Sequence, residues 1–198
     1  VGNMRAQDLF GKYRLGAEIA SGGMGTVFAA TYCPEGGFER PVAIKRIHPH
    51  LAKNEAFLAR FRTEAELCAR LAHPNIVAAM DFGRVDDSYF FAMEYIDGVT
   101  LHDVLAHHRL TQELLPTPSV CWVLRQVLEG LKYAHSGARD RRGRLLHIVH
   151  RDLSPHNVLL DVSGQVKISD FGVARALGDA QDMHTRNMAG KPAYMAPE

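Results

Sequence analysis

The chain has 198 residues, 46% of them hydrophobic, and a formal net charge of +1 from 23 Lys and Arg against 22 Asp and Glu. This composition is typical of a globular protein and excludes a disordered chain, while the charge balance gives no support for a nucleic-acid partner. No apolar run reaches the ~20 residues of a membrane span, and three dispersed cysteines without a CxxC pair favour a reduced, cytoplasmic setting.

The first part of the chain is predicted to form a sheet. Strands are expected at YRLGAEIA, TVFAATY and PVAIKRI, and the glycine-rich turn SGGMG joins the first two. Helical spacing then covers residues 54–71, with Asn54 as the candidate N-cap and one apolar stripe of Phe57, Phe61, Ala65 and Cys68. Two further strands, IVAAMDFG and SYFFAMEYI, follow. The pattern therefore predicts five strands with one helix, ending near residue 96.

The second part is predicted to be mainly helical. GVTLHDVLAHH indicates a short helix, and residues 118–135 a longer one with Val120, Val123, Val127 and Leu131 on one face. A charged loop over 136–147 separates this helix from short strands in IVHRD, VLLD and VKISD. From Phe171 to Glu198 the sequence has little periodicity and is interpreted as a long ordered loop.

Two motifs in the first part are suited to binding phosphate. The glycines of SGGMGTVF, residues 21–28, allow backbone N–H groups to approach phosphate oxygens. A dinucleotide-binding fold would need a helix after them, whereas Thr26 and Val27 continue as a strand. Lys45 follows three apolar residues of the third strand and is placed to reach the α- and β-phosphates of a nucleotide. Glu64, on the following helix, is the carboxylate expected to orient it. Taken alone, a plain turn and a surface lysine explain these features equally well.

Two motifs in the second part are suited to phosphoryl transfer. In HRDLSPHN, residues 150–157, Asp152 is the candidate proton acceptor and Asn157 a candidate metal ligand. In SDFG, residues 169–172, Asp170 is the candidate ligand for Mg²⁺ bridging ATP phosphates. A second DFG at 81–83 precedes the HRD and is interpreted as a strand end. The chain closes on YMAPE, residues 194–198.

These motifs, in this order, resemble the protein-kinase signature set over about Tyr13 to Glu198. IASGGMGTVF, HPNIV, MEYIDGVTL and GKPAYMAPE are similar to the eukaryotic-like serine/threonine kinases of bacteria. The resemblance implies an α+β fold of two lobes. An extension over 1–12 precedes an N-lobe at 13–96, a five-stranded antiparallel sheet with one helix, and the upper part of a mainly helical C-lobe fills 97–198.

The resemblance also implies a reaction and its site. ATP and Mg²⁺ would be the cofactors, and Ser or Thr hydroxyls of protein substrates the acceptors. Met93 would be the gatekeeper residue, Glu94 to Ile96 the hinge, and Val27, Ala43 and Leu159 the residues around adenine. The phosphate loop would comprise Ala20, Gly22, Gly23 and Gly25, with Ala20 where the first glycine often lies. Tyr194 argues against a tyrosine kinase, because that class usually has Trp there.

The chain departs from the serine/threonine pattern in its catalytic loop. Ser154 stands where a Lys usually contacts the γ-phosphate, and Lys191 stands where a Thr partners that Lys. We hypothesise that the two positions are exchanged, so that Lys191 supplies the cation and Ser154 hydrogen-bonds to it. The alternative is that Lys191 is an ordinary exposed lysine in a loop.

The last segment contains a single candidate for regulation. Thr185 is the only Ser or Thr between Gly172 and Glu198, and Arg151 precedes the candidate base. Phosphate on Thr185 would add charge able to pair with Arg151, so autophosphorylation there is predicted. Because a kinase domain continues beyond the APE motif, the chain is expected to be a fragment of a longer product. The alternative function is a pseudokinase or nucleotide-binding module, although Lys45, Asp152 and Asp170 are all present.

Overall fold

The structure is a computed structural model that describes residues 9–171, apart from the side chains of Arg60 and Glu64. The chain divides into two compact units, one of residues 1–65 and 79–95 and the other of residues 66–78 and 96–198. The second unit thus takes residues 66–78, which the sequence assigned to the first lobe. The assignment of lobes at 13–96 and 97–198 stays a prediction.

The first unit contains one antiparallel sheet. Its six strands lie in the order β1-β2-β3-β4-β6-β5. They are β1 Leu9–Phe10, β2 Tyr13–Gly22, β3 Gly25–Tyr32, β4 Arg40–Ile47, β5 Ala79–Val85 and β6 Ser88–Glu94. The predicted antiparallel sheet is confirmed, with one strand more than expected. The extra strand, β1, has only two residues and pairs with Tyr13 and Arg14 at the sheet edge, so its sequence contains too little alternation to be recognised.

In the described part of the first unit, two helices accompany this sheet rather than the single one predicted. The four-residue α1 spans Pro49–Ala52, and α2 spans Glu55–Cys68. The predicted N-cap of α2 is confirmed, because the Phe57 N–H donates to Asn54 Oδ1 at 3.0 Å. The helix ends three residues before the predicted position.

The register of the sheet separates its two faces. Residues directly opposite each other on antiparallel strands point to the same face, and alternate residues along a strand share a face. One face carries a buried core that includes Tyr13, Val42, Ile44, Phe90 and Ala92. The other face packs on α2, because the Phe61 ring lies 5.5 Å from that of Phe82, and both Phe57 and Phe61 are buried.

Up to residue 171, the second unit combines two α-helices with a small antiparallel sheet. The helices are α3 Leu101–Thr111 and α4 Thr117–Lys132, which continues into a single π-helical turn at Tyr133–Gly137. The strands are β7 Gly98–Thr100, β8 Val158–Asp161 and β9 Val166–Ile168, paired in that order. Thr100 and Asp103 form a capping box that starts α3. Within residues 9–171, no helix is long and apolar enough to cross a membrane.

The core of the second unit includes one end of the stripe predicted on α4. Val127 and Gly130 are buried, and Val123 and Leu131 pack against a cluster that contains Ile76 and Ile168. At the N-terminal end of the stripe, Val120 is 38% exposed. Trp122, Leu124 and Leu128, on other sides of the helix, are also exposed.

The predicted strand at IVHRD is wrong. Ile148 instead donates its N–H to the Ala134 carbonyl at 2.9 Å, outside any sheet. His147 and Arg151 adopt left-handed backbone conformations, with φ of 47° and 67°, and such residues interrupt an extended chain. The alternation of apolar residues in a sequence cannot reveal a left-handed backbone conformation.

Candidate active site

The predicted phosphate loop is the turn between β2 and β3. Gly22 pairs with Gly25, and Gly23 and Met24 form the turn between them. Ala20 lies in β2 opposite Val27, a strand position that an L-residue adopts without strain. His48, which the sequence analysis did not select, supports the loop. Its ring Nε2 lies 2.9 Å from the Gly22 carbonyl oxygen, and the main-chain N–H of His48 donates to the Met24 carbonyl.

Gly25→Ala is expected to destabilise the chain by about 2–3 kcal/mol, because the added Cβ would overlap the carbonyl oxygen of Arg46 in the neighbouring strand. Gly22→Ala is the matched control from the same loop, since its Cβ would have no heavy atom within 4 Å. Urea unfolding of both variants measures the difference. Equal loss of stability in the two variants would contradict the close approach of β3 and β4.

The predicted nucleotide-binding residues of the first unit share one sheet face. Lys45, only 8% exposed, lies opposite Val27 on β3 and Phe91 on β6. Ala43, two residues earlier in β4, lies opposite Met93. Val27, Ala43, Lys45 and Met93 therefore point to the same side of the sheet. Glu64 lies in α2, but its side chain is outside the described residues, so the Lys45–Glu64 pair stays a prediction.

The predicted hinge and the third adenine contact lie at or beyond the limit of the first unit. Glu94 ends β6, and Ile96 is the first residue after the break between the units. Leu159 lies in β8 of the second unit, opposite Thr100 and Lys167. The roles of these residues at a nucleotide stay predictions.

The catalytic-loop residues of the second unit are held together by hydrogen bonds. The Asn157 side-chain amide donates to the main-chain oxygen of Asp152 at 2.7 Å and lies 3.4 Å from its Oδ2. The Ser169 N–H donates to the Asn157 carbonyl at 2.9 Å. Asp152, Asn157 and the residue before Asp170 are thus connected directly.

His150, to which the sequence analysis gave no role, connects the same groups. Its Nε2–H donates to the Ser169 carbonyl at 2.8 Å, and its Nδ1 accepts from the Asp152 N–H at 3.3 Å. Burial lowers the pKa of this imidazole, and the neutral form with its proton on Nε2 makes both bonds. Its position beside Arg151 and Asp152 in the HRD motif was the available signal.

Asn157 and Asp170 fit a Mg²⁺ site. Mg²⁺ prefers oxygen ligands, usually one or two carboxylates with substrate phosphates. Because the Asn157 amide nitrogen is bonded to Asp152, its oxygen is the atom available to a cation. Asp170, which has a left-handed backbone with φ of 56°, would supply the carboxylate.

Of the two residues in the exchange hypothesis, the structure describes Ser154 and not Lys191. Ser154 is 3% exposed, and its carbonyl accepts the Asn157 N–H at 2.9 Å, which closes a 3-10 turn. Lys191 and Thr185 lie outside the described residues. The exchange with Lys191 and the pairing of a phosphorylated Thr185 with Arg151 therefore stay predictions.

The DFG at 81–83 lies inside β5 rather than at a strand end, which corrects the prediction. Asp81 has a structural role there. It accepts a hydrogen bond from the Tyr13 hydroxyl at 2.9 Å and forms an ion pair with Lys12 Nζ at 2.7 Å. Its carboxylate therefore joins β5 to β2 and the turn before it.

Comparison with known proteins identifies the family of this site. The family described as protein kinase domain matches residues 13–198. The chain belongs to the protein kinase family. The tyrosine-protein kinase MasK of Myxococcus xanthus is 41% identical over 96% of this chain, and the serine/threonine-protein kinase PrkC of Bacillus subtilis is 35% identical over 95% of it. The chain spans 29% and 26% of the lengths of these two kinases.

Solved kinase structures share the fold. The PknI kinase domain of Mycobacterium tuberculosis matches with a TM-score of 0.68 and 31% identity, over 87% of this chain and 64% of that domain. The predicted two-lobed kinase fold and the resemblance to bacterial serine/threonine kinases are confirmed by these matches.

Proposed function

We propose that the chain is the catalytic part of an ATP- and Mg²⁺-dependent kinase that phosphorylates Ser and Thr hydroxyls of proteins. The observation that carries the proposal is the hydrogen-bonded group of His150, Asp152, Asn157 and Ser169. It connects a candidate base, Asp152, and a candidate metal ligand, Asn157, to Ser169, the residue before Asp170, through three hydrogen bonds of 2.7–2.9 Å. The relatives named serine/threonine kinases support the same acceptor class.

Each of these residues is assigned a separate role in phosphoryl transfer. Bound Mg·ATP would supply the γ-phosphoryl group, with ADP as the leaving group. Lys45 would hold nucleotide phosphates, and Asn157 and Asp170 would hold the metal. Asp152 orients the acceptor hydroxyl and takes its proton as the oxygen bonds to phosphorus. The transition state is loose, so positioning and electrostatic stabilisation provide most of the rate.

Phosphoamino-acid analysis of the full chain, incubated with radiolabelled ATP, Mg²⁺ and a general protein substrate, tests this function. We expect phosphoserine and phosphothreonine on the substrate, and a phosphate on Thr185 of the chain itself. Mg·ATP binding without any transfer would instead support the pseudokinase alternative.

Tyrosine is a second candidate acceptor. Ser154 is small and buried where serine/threonine kinases usually have a Lys, and the 41% identical relative is named a tyrosine kinase. Tyr194 is the sequence feature against this assignment. The same analysis decides between the two, because phosphotyrosine as the main product would replace the proposed acceptor class.

Lys191→Met is expected to lower kcat by about tenfold to a thousandfold, if Lys191 supplies the cation beside the transferring phosphoryl group. The double variant Ser154→Lys, Lys191→Thr restores the usual arrangement and is expected to recover most of the activity. Steady-state kinetics with saturating ATP measures both. Full activity of Lys191→Met would contradict the exchange.

A further inference from the structure

His48 holds the turn between β2 and β3 at two points. It follows β4 directly and precedes α1, so it reaches the turn from the end of a neighbouring strand. Its ring Nε2 lies 2.9 Å from the Gly22 carbonyl oxygen, and its main-chain N–H donates to the Met24 carbonyl at 3.1 Å. Because a carbonyl oxygen can only accept a hydrogen bond, Nε2 carries the proton and is the donor.

The turn needs such support because its own residues constrain it little. The ladder between β2 and β3 ends at the pair of Gly22 with Gly25, so Gly23 and Met24 have no opposite residue in it. A Cβ added at Gly22 or Gly23 would meet no heavy atom within 4 Å. Glycine in open space adopts many backbone conformations, so the peptide group between these two residues would rotate easily without a bond from outside the hairpin.

The bond to His48 fixes the direction in which that peptide group faces. The C=O and N–H of a trans peptide point in opposite directions, and the Gly22–Gly23 peptide is trans. With the Gly22 carbonyl directed at the His48 ring, the Gly23 N–H points away from this ring. A half-turn of the peptide would exchange the two groups, and would present a carbonyl oxygen, which repels an anion, where the N–H now lies.

We propose that His48 is a positioning residue, whose ring N–H holds the Gly22 carbonyl and so keeps the Gly23 N–H directed at a nucleotide phosphate. This inference rests on the proposed function, because it assigns the β2–β3 turn to the phosphates of ATP. His48 itself would contact no phosphate, and acts through the peptide between Gly22 and Gly23. The alternative role is packing alone, for which the stack of the His48 ring on that of His50, with centroids 5.6 Å apart, provides a contact.

Three substitutions separate the hydrogen bond from packing. His48→Gln keeps an N–H donor, because the amide nitrogen of Gln can take the place of the ring Nε2. His48→Leu has a side chain of similar length without a donor. Both variants keep the main-chain bond to the Met24 carbonyl. His50→Leu is the matched control, since it removes the ring stack and leaves the His48 donor in place.

The test is calorimetric titration of the full chain with two ligands, a non-hydrolysable ATP analogue in the presence of Mg²⁺ and adenosine, which has no phosphate. His48→Leu is expected to weaken binding of the ATP analogue about five- to tenfold and to leave binding of adenosine within about twofold. His48→Gln and His50→Leu are expected to bind both ligands within about twofold of the unsubstituted chain. A loss confined to the ligand with phosphates, and restored by a donor, would support the positioning role.

The other outcomes distinguish this inference from the proposed function. Unchanged binding of the ATP analogue by His48→Leu, an equal loss for both ligands, or a loss of the same size in His48→Gln would overturn the role of His48 only. If the unsubstituted chain binds neither ligand, the proposed function fails and the role assigned to His48 fails with it.

Discussion

Asp152→Asn is expected to lower kcat for phosphoryl transfer by about 10²- to 10⁴-fold, the contribution typical of a positioned proton acceptor. Nucleotide affinity is expected to change little, because the Asn157 amide is held mainly by the Asp152 main-chain oxygen at 2.7 Å, with the side-chain oxygen at 3.4 Å. The substitution therefore removes the base while the loop keeps its shape. Steady-state kinetics and nucleotide titration measure the two effects separately.

Asp86→Asn is the matched control for this variant. It removes a carboxylate of the same type from an exposed turn of the first unit, at a φ of 50° that Asn adopts readily. Its activity and melting temperature are expected to match those of the unsubstituted chain. A kcat for Asp152→Asn equal to that of this control would remove Asp152 from the mechanism.

Asn75→Leu is expected to destabilise the second unit by about 2–4 kcal/mol, because it leaves buried hydrogen-bond partners unsatisfied. Asn75 is 7% exposed, and its amide donates to Gln126 Oε1 at 2.7 Å and to the Val166 carbonyl at 2.8 Å. The chain has one tryptophan, Trp122 on α4, so its fluorescence during urea unfolding reports on this unit.

Gln126→Met separates the two bonds of Asn75. It removes the side-chain partner and leaves the Val166 bond in place, so a smaller loss is expected than for Asn75→Leu. The double variant completes a cycle, in which the coupling measures the Asn75–Gln126 bond. A stability of Asn75→Leu equal to that of the unsubstituted chain would contradict a structural role for this network.

Much of the fold could be predicted from local sequence. Alternation identified the longer strands, and apolar spacing together with Asn54 identified α2. The two-residue β1 and the four-residue α1 are too short for any periodicity. The failed strand at IVHRD has a different cause, because His147 and Arg151 adopt left-handed conformations that the alternation of apolar residues does not encode, and the His147 ring Nδ1 lies 2.9 Å from the carbonyl oxygen of His135.

The candidate site also contains residues that local sequence identifies and residues that it does not. Asp152, Asn157 and Asp170 were recognised because their side-chain chemistry and spacing form linear motifs. Cys68 was placed only on an apolar stripe, because its bond to the Phe171 carbonyl joins residues separated by 103 positions. Side chains that act on distant backbone atoms leave no local pattern, whatever their importance for the chemistry.

The place of residues 66–78 in the second unit also affects how the protein is made. Asn75 bonds to Val166, which lies 91 positions further along the chain. At a synthesis rate of about 5–20 residues per second, the nascent segment waits roughly 5–20 s for this partner. Ile76, buried in the finished unit, stays without its bridge to Ile168 of β9 during that interval. The growing chain thus carries an apolar segment that chaperones can bind before the second unit is complete.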